Sequence, residues 1–381
     1  MTGQSGSAFR PTHVVVDLDA IRSNVVALRQ LVGPTAVWAV VKADGYGHGA
    51  IRVASAALEA GAAGCAVALV EEGLALRDAG ITGPVLVLSQ APEPALAAAV
   101  AAGFELTAYS AAHIDAIGRA SDAADREVGS EVGVHLKVDT GMHRVGASPT
   151  DAAGLARRIV NTRGVRLSAL WTHLAVADEP ARHETDEQID RFEAVEERCR
   201  AAGTQIPGTH LANSAGALAH PRARRDLVRC GIAVYGLDPG PSVSGVVELR
   251  PAMSVRSEVS WVHRAAAGSG ISYGHHRVVD RDTTVATVPI GYADGVARRL
   301  GLEGGVVLIG GTRRPILGVV TMDQLMVDCG DDPIGPGDEV VLIGEQGDER
   351  ITADEWASRL DTINYEIVCG FGERVPRVYV G

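Results

Sequence analysis

Lys42 closes an apolar run, Ala36 to Val41, and is followed after Ala43 by Asp44, Gly45, Tyr46, Gly47, His48 and Gly49. An ammonium group there stands where a strand delivers a side chain into a site, with glycines behind it to keep the approach open. Such a lysine can hold a carbonyl cofactor as an imine. The segment alone fits equally a strand-end lysine reaching solvent beside an ordinary turn. Comparably placed polar residues further along the chain favour the first reading. Lys137, Asp139 and Arg144 fall at or after the run 132–138, and His173 follows 168–172. Asn213 and Ser214 follow 205–211, while Arg229, Gly231 and Ile232 lie in 227–235. Taken singly, a histidine is more often a satisfied core residue and an arginine an ion-paired surface group. Sharing one rim, they are harder to dismiss.

The elements that must position these groups alternate. Runs at 37–41, 65–70, 85–89, 105–108, 132–138, 168–172, 205–211 and 227–235 read as strands. Ala-rich stretches with helical spacing, such as 50–60, 95–102 and 184–202, lie between most of them. Eight strand–helix units are the count of a (β/α)8 TIM-type barrel, whose catalytic groups come from the C-terminal strand ends. A doubly wound sheet is the alternative, but no GxGxxG turn opens a helix after a strand. Near Gly240 and Pro241 the pattern changes to short β-branched segments at 255–262, 283–289, 306–309, 324–328 and 339–343. An α/β chain is therefore expected: a barrel over 1–245, then a mostly antiparallel β domain over 246–381. The opening strand, 13–18, could join the second domain.

Composition narrows the function. At 381 residues and 46% hydrophobic, the chain can bury a large core, and its length fits two domains. Aromatic residues make up 4%, so that core must rest on Ala, Val, Leu and Ile, which suits helices packed on parallel strands. A formal net charge of -12 without a compensating basic run disfavours nucleic acid and anionic membranes, and favours a small-molecule partner. No stretch approaches the ~20 apolar residues of a membrane span. The opening residues form a polar tail without a signal-peptide core, so a cytoplasmic location is expected. Five scattered cysteines (Cys65, Cys199, Cys230, Cys329 and Cys369) lack CxxC spacing and read as reduced thiols, with no metal site implied. The pair His275 and His276 has no further ligands spaced to complete a metal site.

Nine blocks resemble alanine racemases in family order, covering nearly the whole chain from Val14 to Arg377. They are AVVKADGYGHG from Ala39, KVDTGMHRVG from Lys137, THLAVAD from Thr172, ANS from Ala212 and RCGIAVYG from Arg229. SYG from Ser272, PIGYADG from Pro289, TMDQLMVD from Thr321 and NYEIVCGFGERVPR from Asn364 complete the set. The resemblance implies a homodimeric isomerase that uses pyridoxal 5'-phosphate, with an N-terminal barrel and a C-terminal β domain. It also implies D-alanine biosynthesis, whether for cell-wall peptidoglycan, for a secondary-metabolite pathway or for protection against a D-alanine mimic.

Position by position, the resemblance makes Lys42 the cofactor-linked lysine and one catalytic base. Tyr46, Ser214, Tyr365 and the N–H groups of Gly231 and Ile232 become the phosphate cradle. Arg229 faces the pyridine nitrogen, with His173 ordering it through a hydrogen bond. Arg144 meets the cofactor's phenolic oxygen and the substrate carboxylate, and the backbone N–H of Met322 meets that carboxylate as well. Lys137 matches a lysine that is often carbamylated, which turns a cation into an anion able to fix the arginine. Tyr273, in the SYG block, becomes the second base, contributed by the partner subunit. Racemisation needs two bases, because the Cα proton must leave one face and return to the other, and one base would tend to hand it back.

Three alternatives share parts of this pattern. Racemases of broader specificity, acting on serine or basic amino acids, share most of the blocks. Barrel-type amino-acid decarboxylases place a carboxylate where Arg229 stands. Non-catalytic carriers of the cofactor resemble only the first part of such a chain. In GYADG, Asp294 is expected to serve as a turn residue and Tyr292 to narrow the substrate entrance. Val296 stands where the family often has an aromatic residue.

Overall fold

The computed structural model describes residues 9–124 and 131–381. Two compact units divide between Arg250 and Pro251, and the residues up to Leu18 go with the second unit. The first strand, β1 (His13–Asp17), therefore belongs to a sheet otherwise built from the C-terminal part of the chain.

The unit from Asp19 to Arg250 is built on eight parallel strands: β2 (Ala36–Val40), β3 (Gly64–Val67), β4 (Val85–Val87), β5 (Glu105–Ala108), β6 (Val132–Lys137), β7 (Val165–Trp171), β8 (Thr209–His210) and β9 (Leu227–Cys230). Neighbours in sequence pair in order from β2 to β8, and β9 pairs with β2. The remaining seam is joined by Asp226 N–H to Thr209 O at 3.1 Å and Arg229 N–H to Ala212 O at 3.0 Å. The sheet thus closes on itself as a barrel. Residues of β3, β4 and β6 are buried throughout, as parallel strands covered on both faces require. Each wholly buried Val or Leu contributes roughly 1.5–3 kcal/mol.

Helices follow the strands, including Ala50–Glu59, Ala111–Ala123 and Glu184–Ala201. The last of these opens with Glu184, Asp186 and Glu187 and closes with Arg198 and Arg200. Those charges complement the helix dipole, while Ile189, Phe192, Val195 and Cys199 bury one face. After β9 comes the 3-10 turn Ile232–Tyr235, and the helix Leu18–Val32 precedes β2.

The second unit is mostly antiparallel. Its larger sheet runs β16 (Thr312–Pro315), β15 (Val306–Ile309), β18 (Glu339–Gln346), β10 (Met253–Glu258), β1 and β20 (Arg377–Val380), with β19 (Glu349–Ile351) on β18. A three-stranded sheet orders β11 (Trp261–Ala265), β14 (Thr283–Val288) and β17 (Leu325–Gly330), and β12 (Gly270–Ile271) pairs with β13 (Arg277–Val278). The segment 255–262, which reads as one strand by composition, is two: β10 and β11 enter different sheets on either side of Val259 and Ser260. No described helix is long and apolar enough to cross a membrane.

Candidate active site

Lys42 stands just past the end of β2, and the chain behind it makes an unusual turn. Ala43, Asp44, Gly45 and Tyr46 have consecutive φ values of 52°, 51°, 60° and 51°. A left-handed conformation costs a residue with a Cβ roughly 1–2 kcal/mol, so neighbouring groups must hold it. The Glu72 carboxylate accepts the Ala43 N–H at 2.7 Å through one oxygen, and those of Ala68 and Leu69 at 2.8 and 3.0 Å through the other. Asp44 accepts the Ala50 N–H at 2.9 Å, at the start of the following helix. Buried His48 donates from Nδ1 to the Tyr46 carbonyl at 2.9 Å. Gly45 allows close approach, since a Cβ there would lie 3.1 Å from Ala50 N.

The turn carries Tyr46 into the barrel rim. Its ring packs on Tyr235 at 4.9 Å between centroids, and its hydroxyl lies closer than van der Waals contact to where a Cβ on Gly231 would be. Ser214, the first residue of the helix Ser214–Ala219, accepts the Gly231 N–H at 2.9 Å and the Ala233 N–H at 3.4 Å. Asn213 caps that helix by accepting the Gly216 N–H at 2.9 Å. Two hydroxyls and the N–H groups opening the turn at Ile232 are thereby gathered beside a glycine that leaves room, the donor set a phosphate takes.

Arg229 is buried in β9. It donates to His210 Nδ1 at 2.6 Å, to the carbonyls of Thr172 and Leu211 at 2.9 Å each, and more weakly to His173 Nδ1 at 3.4 Å. Its guanidinium lies 4.7 Å from the Trp171 ring centre, and Lys137 Nζ lies 4.5 Å from the same ring. Burial pushes Arg229 down to about 9, so it stays protonated at neutral pH. Burial, with Arg144, Arg229 and Lys42 adding repulsion against the pull of Asp139, pushes Lys137 down to about 8. Burial and then Arg229, Lys137, Arg144 and Lys42 hold His173 well below the ordinary imidazole range, so it is neutral. Asp139 accepts the N–H groups of Gly141 and His143 at 3.1 and 2.9 Å, ordering the loop that carries exposed Arg144.

The structure therefore brings together Lys42, Tyr46, Lys137, Arg144, His173, Ser214, Arg229, Gly231 and Ile232. Four cations with Asp139 opposing them leave a positive surplus, and an amine stands among them. An anionic cofactor with an aldehyde fits that donor set.

Tyr273, Met322 and Tyr365 lie in the second unit. Tyr273 is 70% and Met322 52% exposed in the single chain, on loops tied to each other. Ser272 donates to Val319 O at 2.7 Å, and the N–H groups of Tyr292 and Ala293 reach Thr321 O and Met322 O, each at 3.0 Å. Asp294 is more than a turn residue. Fully buried, it takes both ends of the Arg10 guanidinium at 3.0 and 2.9 Å and the Gly291 N–H at 2.9 Å, with Arg374 at 3.4 Å. Arg374 in turn holds Asp323 beside Met322 at 2.7 Å. Tyr365 sits in the short helix Asn364–Cys369.

Reading strand ends misses Glu72, which sits in a helix, and His210, which lies within a strand. The signal for His210 is a histidine inside the run 205–211 rather than at its end.

Comparison with known proteins agrees with this architecture. The family model described as "Alanine racemase, N-terminal domain" matches residues 16–239, and "Alanine racemase, C-terminal domain" matches 252–379. An alanine racemase of Symbiobacterium thermophilum is 47% identical over 98% of both chains, and one of Mycobacterium ulcerans is 45% identical over 96% of this chain and 94% of its own. The crystal structure of alanine racemase from D-cycloserine-producing Streptomyces lavendulae superposes with a TM-score of 0.93 at 39% identity, covering 98% of both chains. That from Bacillus anthracis with bound L-Ala-P gives 0.91 at 37%, over 99% of this chain and 96% of its own. With both family domains matched in order and relatives this similar over nearly its whole length, the chain belongs to the alanine racemase family.

Proposed function

We propose that this protein interconverts L- and D-alanine, with pyridoxal 5'-phosphate held on Lys42 and two bases working on opposite faces of the substrate. The observation that carries the reading is the Lys42 amine on the same rim as the Tyr46–Ser214–Gly231 donor set and the Arg229 guanidinium. When bound, the cofactor supplies an electron-withdrawing ring joined through its aldehyde to the substrate amine, which makes the Cα proton removable.

The chain's own residues do the rest. Tyr46, Ser214 and the N–H groups of Gly231 and Ile232 bind the phosphate, with Tyr365 completing the cradle. Arg229 would meet the pyridine nitrogen as a donor that keeps its proton, which would leave the ring a weaker electron sink and suppress side reactions such as transamination. His173 offers its bare Nδ1 to that arginine. Arg144 and the Met322 N–H hold the substrate carboxylate. Lys42 would exchange the Cα proton on the D-side, and Tyr273 would exchange it on the L-side. Tyr273 serves the partner subunit of a homodimer, and its exposure in the single chain supports this.

The test is direct. Borohydride reduction of the holoenzyme followed by peptide mapping should label Lys42, and a panel of L-amino acids should give D-isomer chiefly from alanine. Labelling elsewhere, or carbon dioxide release without stereoinversion, sinks the reading.

A further inference from the structure

A line of polar side chains crosses the interior of the barrel below the site. Arg229 donates to His210 Nδ1 at 2.6 Å, His210 Nε2 meets His135 Nδ1 at 2.8 Å, and His135 Nε2 lies 3.3 Å from a carboxylate oxygen of Glu105. His210 and His135 are buried, and His210 stacks on Trp171 with ring centres 5.3 Å apart. Glu105, at the opening end of β5, is tied down by the Ser168 hydroxyl at 2.7 Å and by Arg166. The line thus runs from near the active-site rim to the opposite end of the barrel.

Its polarity is fixed by the arginine. A guanidinium has only donors, so His210 Nδ1 must be bare. A neutral imidazole then carries its proton on Nε2 and donates it to His135 Nδ1. His135 in turn must carry its proton on Nε2, facing Glu105. Neutrality of His210 follows from its burial and then from Arg229 and His135, which hold it well below the ordinary range. Although burial pushes Glu105 up, the His135 hydrogen bond and charge, then Ser168 and Arg166, hold it down to about 2, so it is ionised at neutral pH. Two aligned imidazole dipoles therefore lie between a buried cation and a carboxylate, each pointing its N–H edge at the anion and its bare nitrogen at the cation.

Gly133 on β6 makes room for this: a Cβ there would overlap the Glu105 carboxylate. No other described residue of this line needs a glycine beside it to turn inward, and Gly133 touches neither cofactor nor substrate in the reading above.

We propose that His210, His135 and Glu105 are positioning residues for Arg229: a one-way hydrogen-bond relay that fixes the guanidinium and ends on a carboxylate. This rests on the pyridoxal-phosphate reading only for what Arg229 does, and the relay is testable without it.

Two measurements on the full-length protein decide the matter. In protein labelled with 15N-histidine, both His210 and His135 should show the Nε2–H tautomer, with a scalar coupling across the His210–His135 N–H···N bond, whether or not cofactor is bound. A proton on His210 Nδ1 overturns the relay. In the holoenzyme, Glu105→Gln and, separately, Gly133→Ala should lower kcat about tenfold, the effect of losing one charge-assisted hydrogen bond. KM for alanine should stay within about twofold, and the absorption maximum of the bound cofactor should shift. Wild-type kcat and spectrum in both variants overturn the positioning role. Should Glu105→Gln fail to fold, Gly133→Ala and the wild-type tautomers still decide. A wild-type protein that neither takes up the cofactor nor racemises alanine defeats the functional reading while leaving the tautomer result to stand or fall separately.

Discussion

The Glu72 carboxylate accepts the N–H of Ala43 at 2.7 Å, one residue beyond Lys42. A helix residue thereby anchors the run of left-handed backbone that sets the direction of a lysine and a tyrosine. Glu72→Gln keeps one acceptor oxygen where two are used, so either Ala43 or the pair Ala68 and Leu69 loses its partner. The Ala43 N–H is near solvent, and water can replace part of the loss, which limits the cost to about 1 kcal/mol. Urea unfolding should report that decrease, and equilibrium dialysis should show weaker retention of pyridoxal phosphate. Unchanged retention would mean that the turn holds itself.

Subunit exchange tests the donation of Tyr273. Lys42→Ala and Tyr273→Phe should each lower racemisation by roughly 10²–10⁴ as homodimers. Mixing the two should restore activity towards about one quarter of wild type, because half of the dimers are hybrids and each hybrid has one intact site when the phenol comes from the partner. No recovery, in a mixture shown by mass spectrometry to contain hybrids, would place both bases in one chain. Tyr273→Phe should also lose α-proton exchange from L-alanine before exchange from D-alanine.

Lys137 is pushed down to about 8 from 10.5, chiefly by burial and then by Arg144 and Arg229. Carbamylation requires the neutral amine, so 13C NMR with labelled bicarbonate should show a carbamate signal that grows as pH rises through about 8, and Lys137→Ala should remove it. The depression also has a sign for stability. Between about 8 and 10.5 the unfolded chain holds a proton that the unmodified folded one has released, so this group makes folding more favourable as pH rises across that window. A signal rising only near 10.5 would contradict the burial argument.

Asp294→Asn keeps the shape of the side chain but removes the charge that Arg10 and Arg374 share. Loss of one member of a buried pair costs about 3–5 kcal/mol, and the partial exposure of both arginines brings the expectation to about 2. Because the 291–294 turn is bonded to the Met322 loop, KM for alanine should rise more than kcat falls. A stability loss with unchanged KM would show that the clamp is structural only.

Much was legible in the chain itself. Strand ends within the barrel pattern pick out Lys42, Lys137, Arg144, His173, Ser214 and Arg229, because a parallel barrel puts such positions on one rim whatever its helices do. The shift to short β-branched segments marks a second β unit for a similar reason: pattern and period are local properties. The bend that splits 255–262 into β10 and β11 was hidden, since a bend at Val259 and Ser260 leaves the apolar alternation of both halves unchanged.

What the sequence determined was therefore the type of each group and the face or strand end it occupies, since these follow from nearest neighbours along the chain. Only the tertiary structure decided which groups share a proton or a charge. Glu72 reaches Ala43 across 29 positions, Arg10 reaches Asp294 across 284, and Glu105 meets His135 only because Gly133 leaves the space. Hydrogen bonds and ion pairs act over a few ångströms in space, and closure of the barrel and pairing of the sheets bring such distant residues that near.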